Sequence, residues 1–199
     1  MPSRSDKIDE INRLDGRSGR MARYSFAGSF IMRYLYERLA YFSPSNDFRV
    51  SCYRKMGVNI GKGVFIGNYV IFDRIFPGRI SIGDDTSIGD RCIITAHANI
   101  PSKTPLKNIY PRTVKTTKIG KGIWIMPNCV IAPGTTIGDY SVIATGAIIT
   151  KDIPPLVLAG GIPAKPLKDL LPQMEKFIAK SELIRLKRLR TEQKYEPNP

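Results

Sequence analysis

Proton transfer near neutral pH is best served by an imidazole, and this 199-residue chain holds one histidine, His97. A lone histidine is more often structural or solvated than catalytic. The position of this one argues for chemistry: it follows Ile94-Thr95-Ala96 and opens a stretch, rich in Pro, Lys and Thr, that runs to Lys115. Insertions on a rigid scaffold are where binding sites are commonly built. No acidic residue lies between His97 and Lys118, so a carboxylate orienting the imidazole must come from elsewhere. Asp73 and Asp85 are candidates, beside a backbone carbonyl. The cysteines Cys52, Cys92 and Cys129 lack metal-type spacing, and a three-histidine zinc site would need three copies of the chain. No metal is therefore expected.

The scaffold that positions His97 is written in a repeat. Isoleucines recur every six residues at Ile119, Ile125, Ile131, Ile137, Ile143 and Ile149. Two places before each stands Thr117, Ile123, Cys129, Thr135, Ser141 or Ala147. That period fits neither the 3.6 of a helix nor the 2 of a half-buried strand. It fits a parallel β-helix, a coil with one apolar side chain turned inward on each flat side. The same beat runs through Ile60, Ile66 and Phe72, then Ile82, Ile88 and Ile94, interrupted around Phe76-Pro77-Gly78-Arg79 and again from His97. Glycine follows many inward residues (Gly61, Gly67, Gly83, Gly89, Gly120, Gly138), and Asn68, Asp84, Asp90 and Asp139 sit nearby. Both are read as corner residues taking positive φ. Coils of three sides, about 4.8 Å apart, number four to five between Val58 and Asp152.

Composition narrows the classes. No apolar run approaches the length of a membrane-spanning helix, and Met1 to Arg20 lacks the apolar centre of a secretory signal. Cys92 and Cys129 fall on inward positions and read as packed thiols, which makes a cytoplasmic location the default. A formal charge of +14 suggests anionic partners. No nucleic-acid motif is present, so phosphate-bearing small ligands or an anionic membrane surface are favoured.

A helix is predicted from about Ser25 as N-cap to Phe42, stopped by Ser43-Pro44. Its face of Phe26, Phe30, Ile31, Tyr34, Leu35 and Tyr41 is expected to pack on the end of the coil, with docking at a membrane interface as the alternative. A second amphipathic helix is predicted from about Lys168 to Thr191. Its buried stripe is Leu170, Leu171, Met174, Phe177, Ile178 and Ile184, followed by a solvated basic run from Arg185 to Arg190. The tail from Glu192 to Pro199 reads as disordered.

Several ordered motifs now stand together. His97 opens a loop; then come Lys118-Ile119-Gly120-Lys121-Gly122-Ile123-Trp124-Ile125 and Ile131-Ala132-Pro133-Gly134-Thr135-Thr136-Ile137-Gly138-Asp139. Ile149-Thr150-Lys151-Asp152-Ile153-Pro154 and Gly160-Gly161-Ile162-Pro163-Ala164-Lys165 complete the series. From Met56 to Lys168 the chain resembles the hexapeptide-repeat acyltransferases, above all the maltose/galactoside O-acetyltransferase group and its relatives in polysaccharide biosynthesis. The resemblance implies a mainly β fold, a left-handed parallel β-helix with an N-terminal helix and a C-terminal amphipathic helix. It divides the chain into a capping segment 1–57, a coil 58–155 with external loop 97–117, and a coenzyme-proximal loop and helix 156–199. It also implies a homotrimer with acetyl-CoA as co-substrate in a groove between subunits.

In that comparison His97 is the general base, which takes the proton of an acceptor hydroxyl attacking the thioester. Trp124, Thr145, Thr150, Lys151, Lys165 and Lys168 match coenzyme-binding positions, the last two meeting phosphates. Asn68 and Asp73 match acceptor contacts, and the loops Phe72–Arg79 and Asn99–Lys115 are expected to build the acceptor pocket. Met126-Pro127 departs from the family, where a glycine is usual, and lysines stand at positions 165 and 168 where arginine is common. The leading expectation is acetyl-CoA-dependent O-acetylation of a sugar or glycan. N-acetylation of an amino sugar, acetylation of an antibiotic and a non-catalytic scaffold are the alternatives.

Overall fold

Side chains spaced six apart can all point inward only if the backbone turns between them. In the computed structural model, which describes residues 9, 11–12, 22–100, 104–110 and 112–192, short parallel strands wind around a prism with three walls. The first coil is β1 (Asn59–Ile60), β2 (Phe65–Ile66) and β3 (Ile71–Phe72); the second is β4 (Ile80–Ile82), β5 (Ser87–Ile88) and β6 (Ile93–Ile94). A projecting ladder of β7 (His97–Ala98) and β8 (Thr113–Val114) separates these from the third coil, β9 (Thr117–Ile119), β10 (Trp124–Ile125) and β11 (Val130–Ile131). The fourth is β12 (Thr136–Ile137), β13 (Val142–Ile143) and β14 (Ile148–Ile149). A fifth begins where Ile153 bridges to Ile137, and it closes with β15 (Val157–Gly161) and β16 (Ala164–Asp169).

Stacking gives a first wall β1-β4-β9-β12, a second wall β2-β5-β10-β13-β15-β16 and a third wall β3-β6-β11-β14. The ladders align like with like: Ile66, Ile88, Ile125 and Ile143 share one row. From Ile66 to Ile149 the sixfold apolar residues are at most 4% exposed, so the repeat is the core. The second inward positions are buried as well, including Cys92 and Cys129. Their buried hydroxyls reach corner carbonyls, as Thr117 Oγ1 does to Thr95 O at 2.7 Å and Ser141 Oγ to Pro154 O at 2.9 Å.

The corners correct the sequence reading. Glycines after the inward isoleucine do not take positive φ; the left-handed residue stands two places on, as at Tyr69, Asp85, Arg91 and Tyr140. Those glycines answer to close approach instead. A Cβ on Gly83 would lie 2.6 Å from the carbonyl carbon of Gly120 in the next coil, and one on Gly89 2.6 Å from Pro127 N. Nor do the corner aspartates act through backbone conformation. Asp84, Asp90 and Asp139 accept the N–H groups of Lys62, Asn68 and Lys121 on the adjoining coil at 2.7, 2.7 and 2.9 Å.

The open edge of the first coil is covered by a helix the periodicity did not reveal. Helix α1 (Ala22–Phe42) stops at Ser43-Pro44 as predicted, but it begins before Ser25, which is therefore inside it. Helix α2 (Asn46–Met56) follows at once: the Ser45 hydroxyl accepts Phe48 N–H, and Gly57 ends it at φ 111°. Its side chains satisfy the unpaired edge of the sheet. Asn46 meets Val64 O and Ile66 N–H, Arg49 Nε donates to Ile66 O at 2.8 Å, and Tyr53 Oη donates to Val70 O at 2.8 Å. Only part of the aromatic face of α1 packs on the coil: Tyr41 lies against the Tyr69 ring at 5.7 Å, whereas Phe30, Ile31, Tyr34 and Leu35 are exposed, and Glu37 and Ala40 are buried.

The single helix expected from Lys168 does not form. Residues 164–169 pair as a strand, Leu171–Met174 and Glu175–Phe177 make single turns, and only Lys180–Glu192 is a sustained helix, α3. Phe177 and Ile184, placed on the buried stripe by periodicity, are exposed; Leu183, Leu186 and Arg190 are buried. The basic run is partly anchored, with Arg185 bonded to Glu182 and Asp139 and Arg190 paired to Asp169. Residues 193–199, where the disordered tail was expected, lie outside the described set, as does most of Met1–Arg20. No described helix is long and apolar enough to cross a membrane.

Candidate active site

Both interruptions of the repeat leave the prism at one corner. Phe72 and Ile94 are neighbours in the third wall, and Asp73 N–H donates to Ile94 O at 3.0 Å. The chain therefore departs twice between the third and first walls, one coil apart. The insertion after Phe72 comes to lie against the loop that His97 opens. At the base of that loop His97 pairs with Val114 and Ala98 with Thr113, and Lys115 N–H returns to Ala96 O at 2.9 Å.

Stacking of the two departures brings Asp73 to His97. The imidazole Nδ1 donates to Asp73 Oδ2. Asp73, whose side chain is completely buried, also accepts Ala96 N–H on Oδ2 at 2.9 Å, and Ile75 and Phe76 N–H on Oδ1 at 2.9 and 3.0 Å. Burial pushes this carboxyl up, but the bonds from His97, Phe76 and Ala96 outweigh it and hold it below the usual range. An ionised carboxylate only accepts, so Nδ1 carries a proton, and in the neutral imidazole the lone pair is on Nε2. The Phe76 ring lies edge-on to the imidazole at 5.5 Å and limits its tilt. Beside the pair is a cavity of about 270 Å³ lined by Phe30, Phe72, Asp73, Arg74, Thr95 and His97, among others. A histidine held in this way beside a cavity of that size can serve as a general base.

Asp73, expected as an acceptor contact and also as a candidate to orient the imidazole, has both oxygens engaged by donors of the chain and holds the His97 ring. Asn68 is exposed at a different corner, between the second and third walls, and does not line the cavity. Phe30 and Arg74 do line it; Arg74 belongs to the loop Phe72–Arg79 expected to build the acceptor pocket, whereas Phe30 was expected only on a packing face. The signal for Arg74 was the shared phase of the two interruptions; for Phe30 there was none, because it arrives from α1.

The six expected coenzyme residues separate into groups. Thr150 and Lys151 are exposed at the corner of His97; its column runs Asp73, Thr95, Ala132, Thr150, about 10 Å from Thr95 to Thr150 at the usual strand spacing. Thr145 is exposed at the corner after β13. Trp124, Val142, Leu158 and Lys168 form one row across the second wall, with Trp124 53% exposed. Lys165 joins that row's face through a bulge. Leu158 pairs with Lys168 and Ala159 with Pro166, which leaves Leu167 unpaired; Gly160 then pairs with Lys165. Residues paired across strands share a face, so both lysines point the same way. In a three-walled prism the corner of His97 is opposite the second wall. One chain therefore keeps its histidine and its tryptophan–lysine row on opposite sides.

Comparison with known proteins agrees with this architecture. The family model for the bacterial transferase hexapeptide (six repeats) matches residues 116–151. Galactoside O-acetyltransferase of Escherichia coli (strain K12) is 32% identical over 139 residues, covering 61% of this chain and 68% of that protein. A putative lipopolysaccharide biosynthesis O-acetyl transferase, WbbJ, of the same organism is 27% identical over 64% of this chain and 68% of its own. The fold is shared with the hexapeptide-repeat acetyltransferase VCA0836 of Vibrio cholerae O1 biovar eltor, solved with acetyl coenzyme A. Its TM-score is 0.60 at 21% identity, over 81% of this chain and 98% of that one. With its coils, its matched repeats and a relative aligned over two thirds of that relative's length, this chain belongs to the hexapeptide-repeat acyltransferase family.

Proposed function

We propose that the protein transfers the acetyl group of acetyl-CoA directly to a hydroxyl of a sugar or glycan, with His97 as general base. The observation that carries this reading is the buried Asp73–His97 pair, in which Asp73 engages Nδ1 and leaves Nε2 as the ring nitrogen to meet a hydroxyl in the cavity His97 lines. Nε2 takes the hydroxyl proton as that oxygen attacks the thioester carbonyl. Backbone N–H groups steady the oxyanion, and the C–S bond then breaks. The proton returns from His97 to the departing thiolate of coenzyme A. The galactoside O-acetyltransferase relationship supports a sugar acceptor, and the WbbJ similarity supports a glycan of envelope biosynthesis.

The assembly follows from the placement of the candidate residues. Three copies around an axis parallel to the prism would set the second wall of one against the histidine corner of the next. We therefore read the active unit as a homotrimer of left-handed coils with acetyl-CoA between protomers. Trp124, Lys165 and Lys168 would come from one chain, and His97, Thr150 and Lys151 from its neighbour. The division into 1–57, 58–155 and 156–199 is kept as cap, coil and coenzyme-side segment. Free thiols at Cys52, Cys92 and Cys129 and the need for acetyl-CoA suit the cytoplasm.

The test is His97→Ala. Turnover, read as thiol release from acetyl-CoA in the presence of sugar acceptors, should fall by roughly 10²- to 10⁴-fold. Calorimetric affinity for acetyl-CoA should persist. A variant working near the wild-type rate would remove His97 from the mechanism.

A further inference from the structure

Helix α1 reaches the cavity beside the Asp73–His97 pair through Phe30. Arg33 donates to Arg74 O at 3.2 Å and to Ile75 O at 2.8 Å, which ties α1 to the insertion after Phe72. Both bonds go to backbone carbonyls. One turn on, Glu37 is nevertheless fully buried, and its Oε2 accepts Arg74 Nε at 2.6 Å. Burying a carboxylate is costly unless it is well paired, so the contact must do more than repeat the work of Arg33. What it adds is direction. A guanidinium is a flat fork with five donors, and Glu37 on its Nε edge fixes that plane. The Arg74 side chain stays 34% exposed and lines the cavity beside His97.

Among the described residues lining that cavity, Arg74 is the one permanent cation; Phe30, Ile71, Phe72 and Ile75 are apolar. Arg38 lies over the Tyr34 and Tyr41 rings at 4.9 and 5.1 Å. A planar fork fixed in a mostly apolar recess recognises an oxyanion in two-point fashion.

We propose that Arg74 is a specificity residue, selecting acceptors that carry an anionic group, carboxylate or phosphate, close to the hydroxyl that His97 deprotonates. This rests on the acetyl-transfer reading above. Glu37 is its positioning residue, and the N-terminal helix is thereby part of the acceptor site.

The experiment measures thiol release from acetyl-CoA by the full chain at low salt with galactose, methyl galacturonate, galacturonate and galactose 6-phosphate. At least one anionic sugar should show kcat/KM about tenfold or more above its neutral counterpart. Which arm responds separates a carboxylate acceptor from a phosphate one. Arg74→Gln should lower that anionic-to-neutral ratio about tenfold or more, and Arg74→Lys should restore part of it. A contact that merely fastens α1 would lower both rates together and leave the ratio unchanged, which would overturn the inference. If Arg74→Gln fails to fold, the wild-type ratio alone decides. Wild-type protein that binds acetyl-CoA but favours neutral sugars, or turns over none of the four, sinks this inference and leaves the acetyl-transfer reading standing. Failure to bind acetyl-CoA in calorimetry sinks both.

Discussion

The lone imidazole of this chain is useful only because a buried carboxylate sets its tautomer. His97 could be singled out from its type and its place at the start of an insertion. Its partner could not be chosen between Asp73 and Asp85 without knowing that Phe72 stacks on Ile94. Asp73→Asn tests the pairing. The amide would donate to Nδ1 and push the proton onto Nε2, so turnover should drop about 10²-fold or more while acetyl-CoA affinity holds. Unchanged turnover would assign the orienting role elsewhere. The same pair has a consequence for stability. The folded Asp73 pKa lies below the ordinary 3.8, so its contribution is complete above that value and is lost as pH falls through the lowered one.

Among the elements, the caps depart most from expectation. Helix α2 carries little amphipathic signal, because its work is done by polar side chains reaching the carbonyls of a sheet edge. Arg49, 4% exposed, donates to Ile66 O and to Ser43 O, both at 2.8 Å. Arg49→Met should cost about 2–3 kcal/mol, since two carbonyls lose a charged donor. The loss would appear as a lower urea midpoint at unchanged slope. A midpoint within error of wild type would mean that water replaces the guanidinium without loss. The C-terminal side shows the opposite failure of periodicity. Leu170, Leu171 and Met174 have helical spacing, yet the chain before them pairs back along β15 as a strand. Pairing with an existing sheet edge outweighs local helical preference.

At the level of the whole molecule, topology gathers three of the proposed coenzyme residues on one wall. The bulge at Leu167 turns Lys165 and Lys168 to one face of the second wall, with Lys168 on the row of Trp124. Replacing both lysines by Ala should raise the KM for acetyl-CoA roughly tenfold and leave acceptor KM in place. Wild-type protein should also prefer CoA to its dephospho form. Equal affinity for the two would count against a 3′-phosphate contact at these lysines.

Periodicity alone was enough to establish the coil, its inward residues and the corner at which His97 leaves it. Each follows from a repeat in which every side chain's direction is set by the corner next to it. The hairpin that aligns the two lysines, the polar cap of α2 and the Asp73–His97 bond were decided only on folding. They depend on contacts between residues up to 24 positions apart, whose geometry exists only after the coils have stacked.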